Sequence, residues 1–493
     1  MVFQHLPRKK RSNTRKRLFL DMRQLLETEQ KALEINLDPA IYGTFAEIGA
    51  GQEVARYFFQ VGAAAGTIAK TMSAYDKTYS DEIYGPEPSG RYVCENRIYK
   101  MLGHEFDLMD KRLRNERPTC NFFVFADTVA AINFQRTIKG NGWLGIRFQL
   151  QPGGKPNDLV IHAQMLDNDN QLQQQAIGIL GVNLIYACFR YAKDPETLLQ
   201  SLLDGLQGRI QIDMVRLTGP DFVQVDNRIL SLYLVKNQLS NVAMFGANGQ
   251  NIHPSECLYK KQLLIVRGSF RPPTVLNIDM IQSAQRQLLQ EPEADPKRCA
   301  ILTEITLENL LNNGPIDERD FLDRAELLNA LGQTVMISNF NTHQQISAYF
   351  STFRTDSIAL VLGVQTLMEY ITRTFENNQQ GHLLAAFGAL FSKNLKILVY
   401  PALLQGSGEL MTAKNMPLPE GVKFLIQHLQ KNRQIVDIEN FDKNVLHIFS
   451  KEVLSMIRAG RSDWTSMVPQ KVAGLIKEKF FFGYPCEQMN FEY

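Results

Sequence analysis

Trp143-Leu144-Gly145-Ile146-Arg147-Phe148-Gln149-Leu150, the turn Gln151-Pro152-Gly153-Gly154-Lys155-Pro156, and Leu159-Val160-Ile161-His162-Ala163-Gln164-Met165-Leu166 set the fold class of the first half of this chain. Both flanking runs alternate: Leu144, Ile146, Phe148 and Leu150, then Leu159, Ile161, Ala163 and Met165. A period of two belongs to a strand with one face buried. Pro-Gly-Gly between two such runs is a reversal signal, so the pair reads as an antiparallel hairpin and the surrounding unit as α+β.

Outward from the hairpin the pattern is consistent. Residues 121–134 open Phe122-Phe123-Val124-Phe125 and read as a strand, as do residues 210–217. Residues 97–114 and 171–191 read as helices, the second apolar enough to cover a sheet face. Residues 18–35 read as a helix that stops at Asn36-Leu37-Asp38-Pro39, because the residue before a proline is pushed out of the helical region. Residues 53–75, rich in Ala, Phe and Val, read as one further helix.

From about residue 259 the rhythm changes. Strand-like runs at 263–266, 300–303, 334–338, 358–362 and 395–400 alternate with helical stretches at 278–289, 316–331, 342–353, 364–375 and 383–391, and residues 420–479 read as mostly helical. Such alternation predicts a mostly parallel sheet with covering helices. The expected organisation is a basic leader at 1–17, a helix at 18–35, an α+β domain with an antiparallel sheet at 36–258, and an α/β domain with a helical tail at 259–485.

Charge and cysteine content narrow the function classes. The 493 residues carry a net charge of +2, but Arg8, Lys9, Lys10, Arg11, Arg15, Lys16 and Arg17 lie together in the leader, and the rest of the chain is acidic on balance. Contact with nucleic acid is therefore expected only through that leader. The six cysteines are widely spaced, with no CxxC pair, which fits free thiols in a reducing cytosol. No apolar h-region follows the basic start, and the greasy segment 177–189 is too short to span a bilayer, so a cytoplasmic protein without a membrane span is expected.

Four groups of residues are candidates for chemistry. Glu47-Ile48-Gly49-Ala50-Gly51-Gln52-Glu53 precedes a helix; Gly49 and Gly51 would let a phosphate or adenosine group approach its N-terminus, with Asp76 downstream as a ribose partner. This run also resembles the first motif of the S-adenosylmethionine methyltransferases, with Glu53 at the third glycine position. Residues 73–84, with three tyrosines and three acids, would make a polar wall. Val266-Arg267-Gly268-Ser269-Phe270-Arg271-Pro272 ends a strand, where open α/β sheets bind ligands, and Arg267 and Arg271 suit phosphate or carboxylate. Finally His162, Asp167, Asp213 and Asp226 would form an acid/base or metal group if their strands met. The eight histidines show no HxxxH or HExxH spacing, so no metal ligand set is expected. No GxxxxGK[ST] loop, GxSxG elbow or other motif identifies a cofactor.

Residues 42–56, Ser73-Ala74-Tyr75-Asp76, residues 123–131 and Arg267–Pro272 together resemble a family of uncharacterised bacterial proteins whose members carry, inconsistently, the labels nicotinate-nucleotide adenylyltransferase and TonB-dependent receptor. The resemblance runs from about residue 24 to the end. The first label implies a nucleotidyltransferase with an HxGH pair of histidines; here Gly103-His104 and Gly381-His382 are preceded by Met101 and Gln379 at the first histidine position. The second implies a signal peptide and a barrel, against which the patterns above speak.

The resulting expectation is a nucleotide- or phosphoanion-binding enzyme. Its cleft, between the two domains, would be lined by the 47–53 and 267–271 turns. Arg267 and Arg271 would hold the anion, Gly49 and Gly51 would allow close approach, and Glu47 or Asp76 would act as the catalytic acid or base. The alternative is a non-catalytic scaffold or homo-oligomeric assembly protein with the 171–191 helix as its seam.

Overall fold

The computed structural model describes residues 23–485 apart from 138, 313, 377–381, 392–393 and 405–407. The basic leader and Cys486 lie outside the described residues. Two large sheets organise the chain, and the mixed α/β and α+β class expected from the sequence is what it adopts.

The first sheet has the order β2-β1-β3-β4-β5-β6. Its strands are β1 (Ile41–Gly49), β2 (Ile68–Met72), β3 (Asn121–Ala130), β4 (Asn141–Phe148), β5 (Asn157–Met165) and β6 (Ile210–Thr218). The predicted hairpin is β4–β5, paired from Asn141 with Gln164 to Phe148 with Asn157. β3 through β6 run antiparallel, but β1 is parallel to both β2 and β3, so the sheet is mixed rather than antiparallel throughout. The single helix expected at 53–75 is instead a helix Val54–Gln60, a short turn and strand β2. Gly62 and Ala63 both adopt positive φ, 84° and 61°, and break the helix there. β1, this helix and β2 make one parallel βαβ unit, which a period-based reading misses because β2 is a short edge strand.

Helices cover both faces of this sheet. One face packs against Asn170–Arg190, which is buried without a break from Ala176 to Cys188. That helix is long and apolar enough to cross a membrane by composition, yet its own chain surrounds it. Its apolar surface is therefore taken up inside the fold and is not exposed as an oligomer seam. Glu95–Leu113 covers the other face through Ile98, Met101, Leu102 and Phe106. From 73–84, Tyr84 is buried and donates to Glu105, while Tyr75 and Tyr79 are exposed.

The second sheet has the order β16-β13-β12-β9-β10-β11-β7-β8. β7 (Val242–Phe245) and β8 (Asn251–Ile252) precede β9 (Gln262–Arg267), β10 (Cys299–Thr306), β11 (Thr334–Ser338), β12 (Ser357–Gly363) and β13 (Leu395–Tyr400). A small ribbon, β14 (Ala402–Leu403) with β15 (Leu410–Met411), comes before β16 (Ile435–Asp437). The run β16 to β11 is parallel, as expected; β7 adds antiparallel to β11, and β8 to β7. β7 and β8 thus join the second sheet although they fall within the 36–258 stretch.

The chain steps from β9 to β10 to β11 on one side, then returns to place β12, β13 and β16 on the other. Helices divide accordingly. Val275–Leu289 and Glu318–Ala330 pack on one face with Leu264, Val266 and Val361; His343–Ser351 and Val364–Glu376 pack on the other with Leu263, Ile265 and Leu360. This is a doubly wound sheet, and its winding reverses between β9 and β12. There the loops at the carboxyl ends of the strands diverge and leave a crevice.

Candidate functional sites

Arg267 is the last residue of β9, at the edge of that crevice. The hollow beside it, about 500 Å³, is lined by Arg267, Thr306, His343, Tyr370, Arg373 and His382 among others. Arg267 is not a loose cation. Its Nε and Nη2 donate to the two oxygens of Glu304, each at 2.9 Å, and Glu304 is fully buried on β10. Ser338 Oγ of β11 donates to the same carboxylate at 2.5 Å. His343 opens the helix His343–Ser351 and is buried; its Nε2 has no partner among the described residues. Burial, with the nearby Arg267 charge, pushes its imidazole down to about 3, so at neutral pH it is an uncharged hydrogen-bonding group in the wall.

Arg271 lies in the loop that follows β9 and serves packing. Its Nε donates to Asp320 at 2.5 Å, and Asp320 also pairs with the buried Arg324. Arg271 is therefore an anchor between the β9 loop and the helix Glu318–Ala330.

Glu47 lies in the first sheet, on β1, directly across from Asp127 of β3. Its carboxylate accepts from the amides of Val54 at 2.8 Å and Ala55 at 3.4 Å, at the start of the next helix. Burial raises it from 4.5 to about 7 against the pull of those amides. Asp127 is fully buried; burial and the neighbouring Glu47 raise its carboxyl well above the ordinary range, and its Oδ2 has no partner among the described residues. A hollow of about 500 Å³ lies beside Glu47, lined also by Gln52, Ala55, Phe59, Thr71 and Ser73. A carboxyl poised near neutrality on such a wall can give or take a proton.

The neighbouring glycines make room for the chain itself rather than for a ligand. At Gly51 a Cβ would stand 2.1 Å from Asp127 Oδ1, and at Gly49, with φ of 79°, 2.2 Å from the carbonyl oxygen of Val129. Asp76 is the N-cap of Lys77–Tyr84, accepting from the Tyr79 amide at 2.8 Å on the surface. The 47–53 and 267–271 turns border separate hollows with no lining residue in common, so the single shared cleft expected from the sequence is not what the fold builds.

A third cluster joins the sheets. His162 of β5 and Asp213 of β6 meet as the sequence suggested, at 2.6 Å between Nδ1 and Oδ1. Asp167 and Asp226 do not join them; they pair with Arg209 and Arg228. The residue that does join is His253, just past β8, whose Nε2 lies 2.9 Å from His162 Nδ1. Burial lowers the His162 imidazole, with Asp213 opposing. Burial pushes Asp213 up, but the two imidazoles outweigh it and hold the carboxyl well below the usual range. In sequence the sole signal for His253 was a histidine directly before Pro254 at a helix start.

No protein-family model and no curated protein matches the chain. Among solved structures it is similar to the competence/damage-inducible protein CihA from Agrobacterium tumefaciens, with 14% identity, 32% of this chain and 94% of that one covered, and a TM-score of 0.24. A CinA-superfamily protein from Klebsiella pneumoniae gives 11%, 33%, 98% and 0.25, and a competence or damage-inducible protein from Enterobacter asburiae 14%, 33%, 96% and 0.24. Likeness at these scores identifies neither a fold family nor a function.

Proposed function

We propose that the protein binds a nucleotide or another small phosphorylated molecule in the hollow at the carboxyl ends of β9 and β12. The observation that carries this reading is the reversal of winding between these two strands, with Arg267 and the start of the helix His343–Ser351 on the rim of the resulting crevice. Open α/β sheets take their ligands at such a point, where helix N-termini and loop amides face outward. Arg373 and the uncharged His343 supply further hydrogen-bonding groups. The five described cysteines, Cys94, Cys120, Cys188, Cys257 and Cys299, are free thiols, which supports a cytoplasmic setting.

The test is calorimetric titration of the full chain with AMP, ATP, NAD, nicotinate mononucleotide and inorganic phosphate. One nucleotide is expected to bind, and Arg373→Gln to weaken it at least tenfold, while Arg56→Gln, at the rim of the Glu47 hollow, leaves it unchanged. Absence of binding by every compound, or weakening by Arg56→Gln in place of Arg373→Gln, overturns the reading.

A further inference from the structure

Two ring nitrogens and a carboxylate oxygen, from His162, His253 and Asp213, converge on one point. Nδ1 of His162 lies 2.6 Å from Asp213 Oδ1 and 2.9 Å from His253 Nε2, and those two atoms are 3.5 Å apart. The other ring nitrogen of His162, Nε2, faces Asn141 Oδ1 at 3.4 Å. With its proton on Nε2 the ring presents the Nδ1 lone pair to the cluster; with its proton on Nδ1 it shares that proton between Asp213 Oδ1 and His253 Nε2. In both forms one positive centre, a proton or a metal cation, brings the carboxylate oxygen and the two ring nitrogens together.

We infer that His162, Asp213 and His253 hold one divalent transition-metal cation of the zinc type, which ties the first sheet to the second. Two imidazole nitrogens and a carboxylate oxygen are the donors such ions prefer, and an ion about 2.0–2.2 Å from each fits just off the plane of these three atoms. The surroundings are those of a built site. Asn141 Oδ1 lies 3.4 Å from the outer ring nitrogen of His162, and Gln164 Nε2 donates at 2.5 Å to Asp213 Oδ2, the oxygen turned away from the cluster. Outer partners of this kind orient metal ligands. The ring of Trp143 packs on both histidines, 5.0 Å from His162 and 5.6 Å from His253. All three donors are buried. Two of them come from β5 and β6, and the third follows β8, so an ion would cross-link the sheets where Arg216 of β6 already donates to the Asn251 carbonyl at 2.8 Å.

The full chain, stripped with EDTA, is titrated with Zn²⁺ against a chromophoric chelator, and separately with Co²⁺ in the visible range. One equivalent of Zn²⁺ is expected, with visible Co²⁺ bands, a higher thermal midpoint for the loaded protein, and loss of uptake by at least a hundredfold in His253→Gln and Asp213→Asn. Circular dichroism establishes that the variants fold. If they do not, X-ray absorption at the zinc edge of the loaded wild type decides: a light-atom shell with two imidazoles supports the site, and any sulfur or an all-water shell overturns it. Failure of the stripped wild type to take up Zn²⁺, or uptake unchanged in both folded variants, also overturns it, leaving the cluster held by a shared proton.

Discussion

Arg267 and Glu304 are locked together across neighbouring parallel strands by two hydrogen bonds of 2.9 Å, and the carboxylate is wholly enclosed. The arginine that would hold an anion already has one within the protein. Removing it strands a buried carboxylate that keeps, among the described residues, its bond from Ser338. Breaking such a pair costs about 3–5 kcal/mol, whereas replacing both partners by apolar groups costs far less. Arg267→Ala is therefore expected to lose about that much stability in urea unfolding, and Arg267→Leu with Glu304→Leu to recover most of it. A loss under about 1 kcal/mol for Arg267→Ala would mean that the pair is solvent-screened.

Gly51 and Asp127 are a second coupled pair. An alanine at 51 would drive its Cβ to 2.1 Å from a carboxylate oxygen that has no space to retreat into, since Asp127 is fully buried. Overpacking of this kind costs about 1–3 kcal/mol. Gly51→Ala should destabilise by that amount alone and by much less in an Asp127→Ala background, a coupling that a double-mutant cycle reads directly. Additive effects would show that the two residues do not share the space.

How much of this was legible in the sequence follows from the range of each interaction. The β4–β5 hairpin and the alternation of strands and helices after residue 259 are local patterns, and they read correctly. So did the placing of Arg267 at a strand end. Pairings between distant segments did not read: β1 beside both β2 and β3, β7 crossing into the second sheet, and His253 meeting a histidine 91 residues away. One signal was available and unused. Glu304 and Asp127 each interrupt an apolar strand, Cys299–Thr306 and Asn121–Ala130. An acid on a buried strand must find a partner or a proton, and both of these mark what the neighbouring elements were built around.

The helix expected at 18–35 starts only at Thr28 and runs to Asn36, and Lys31 and Asp204 anchor it. The ammonium is 1% exposed and donates to Asp204 Oδ2 at 2.6 Å and to Asn183 Oδ1 at 2.8 Å, and Arg23 also grips Asp204. Losing the lysine leaves Asp204 with Arg23; losing the aspartate leaves a lysine buried with only neutral oxygen. Asp204→Ala should therefore cost about 3–5 kcal/mol, and Lys31→Met clearly less. Equal losses in denaturant unfolding would show that Arg23 does not compensate.

Glu47 makes stability depend on pH in a direction opposite to that of an ordinary paired carboxylate. Its carboxyl is raised by burial from 4.5 to about 7. Below the unfolded value both states hold the proton and the folded protein pays nothing. Between 4.5 and 7 the unfolded chain releases a proton that the folded one keeps, so stability falls as pH rises, at about 1.4 kcal/mol per pH unit. Above 7 the loss is complete, roughly 3 kcal/mol for this group. Asp127, raised by its own burial and by Glu47, acts in the same direction. Glu47→Gln keeps an oxygen for the Val54 amide and has no proton to lose. Other carboxylates titrate in both proteins, so the difference between the two is the readout. Unfolding free energies at pH 5, 6, 7 and 8 should show the variant gaining on the wild type as pH rises, with most of the gain complete by pH 8. A difference that stays constant over that range would mean that Glu47 is ionised in the folded protein throughout.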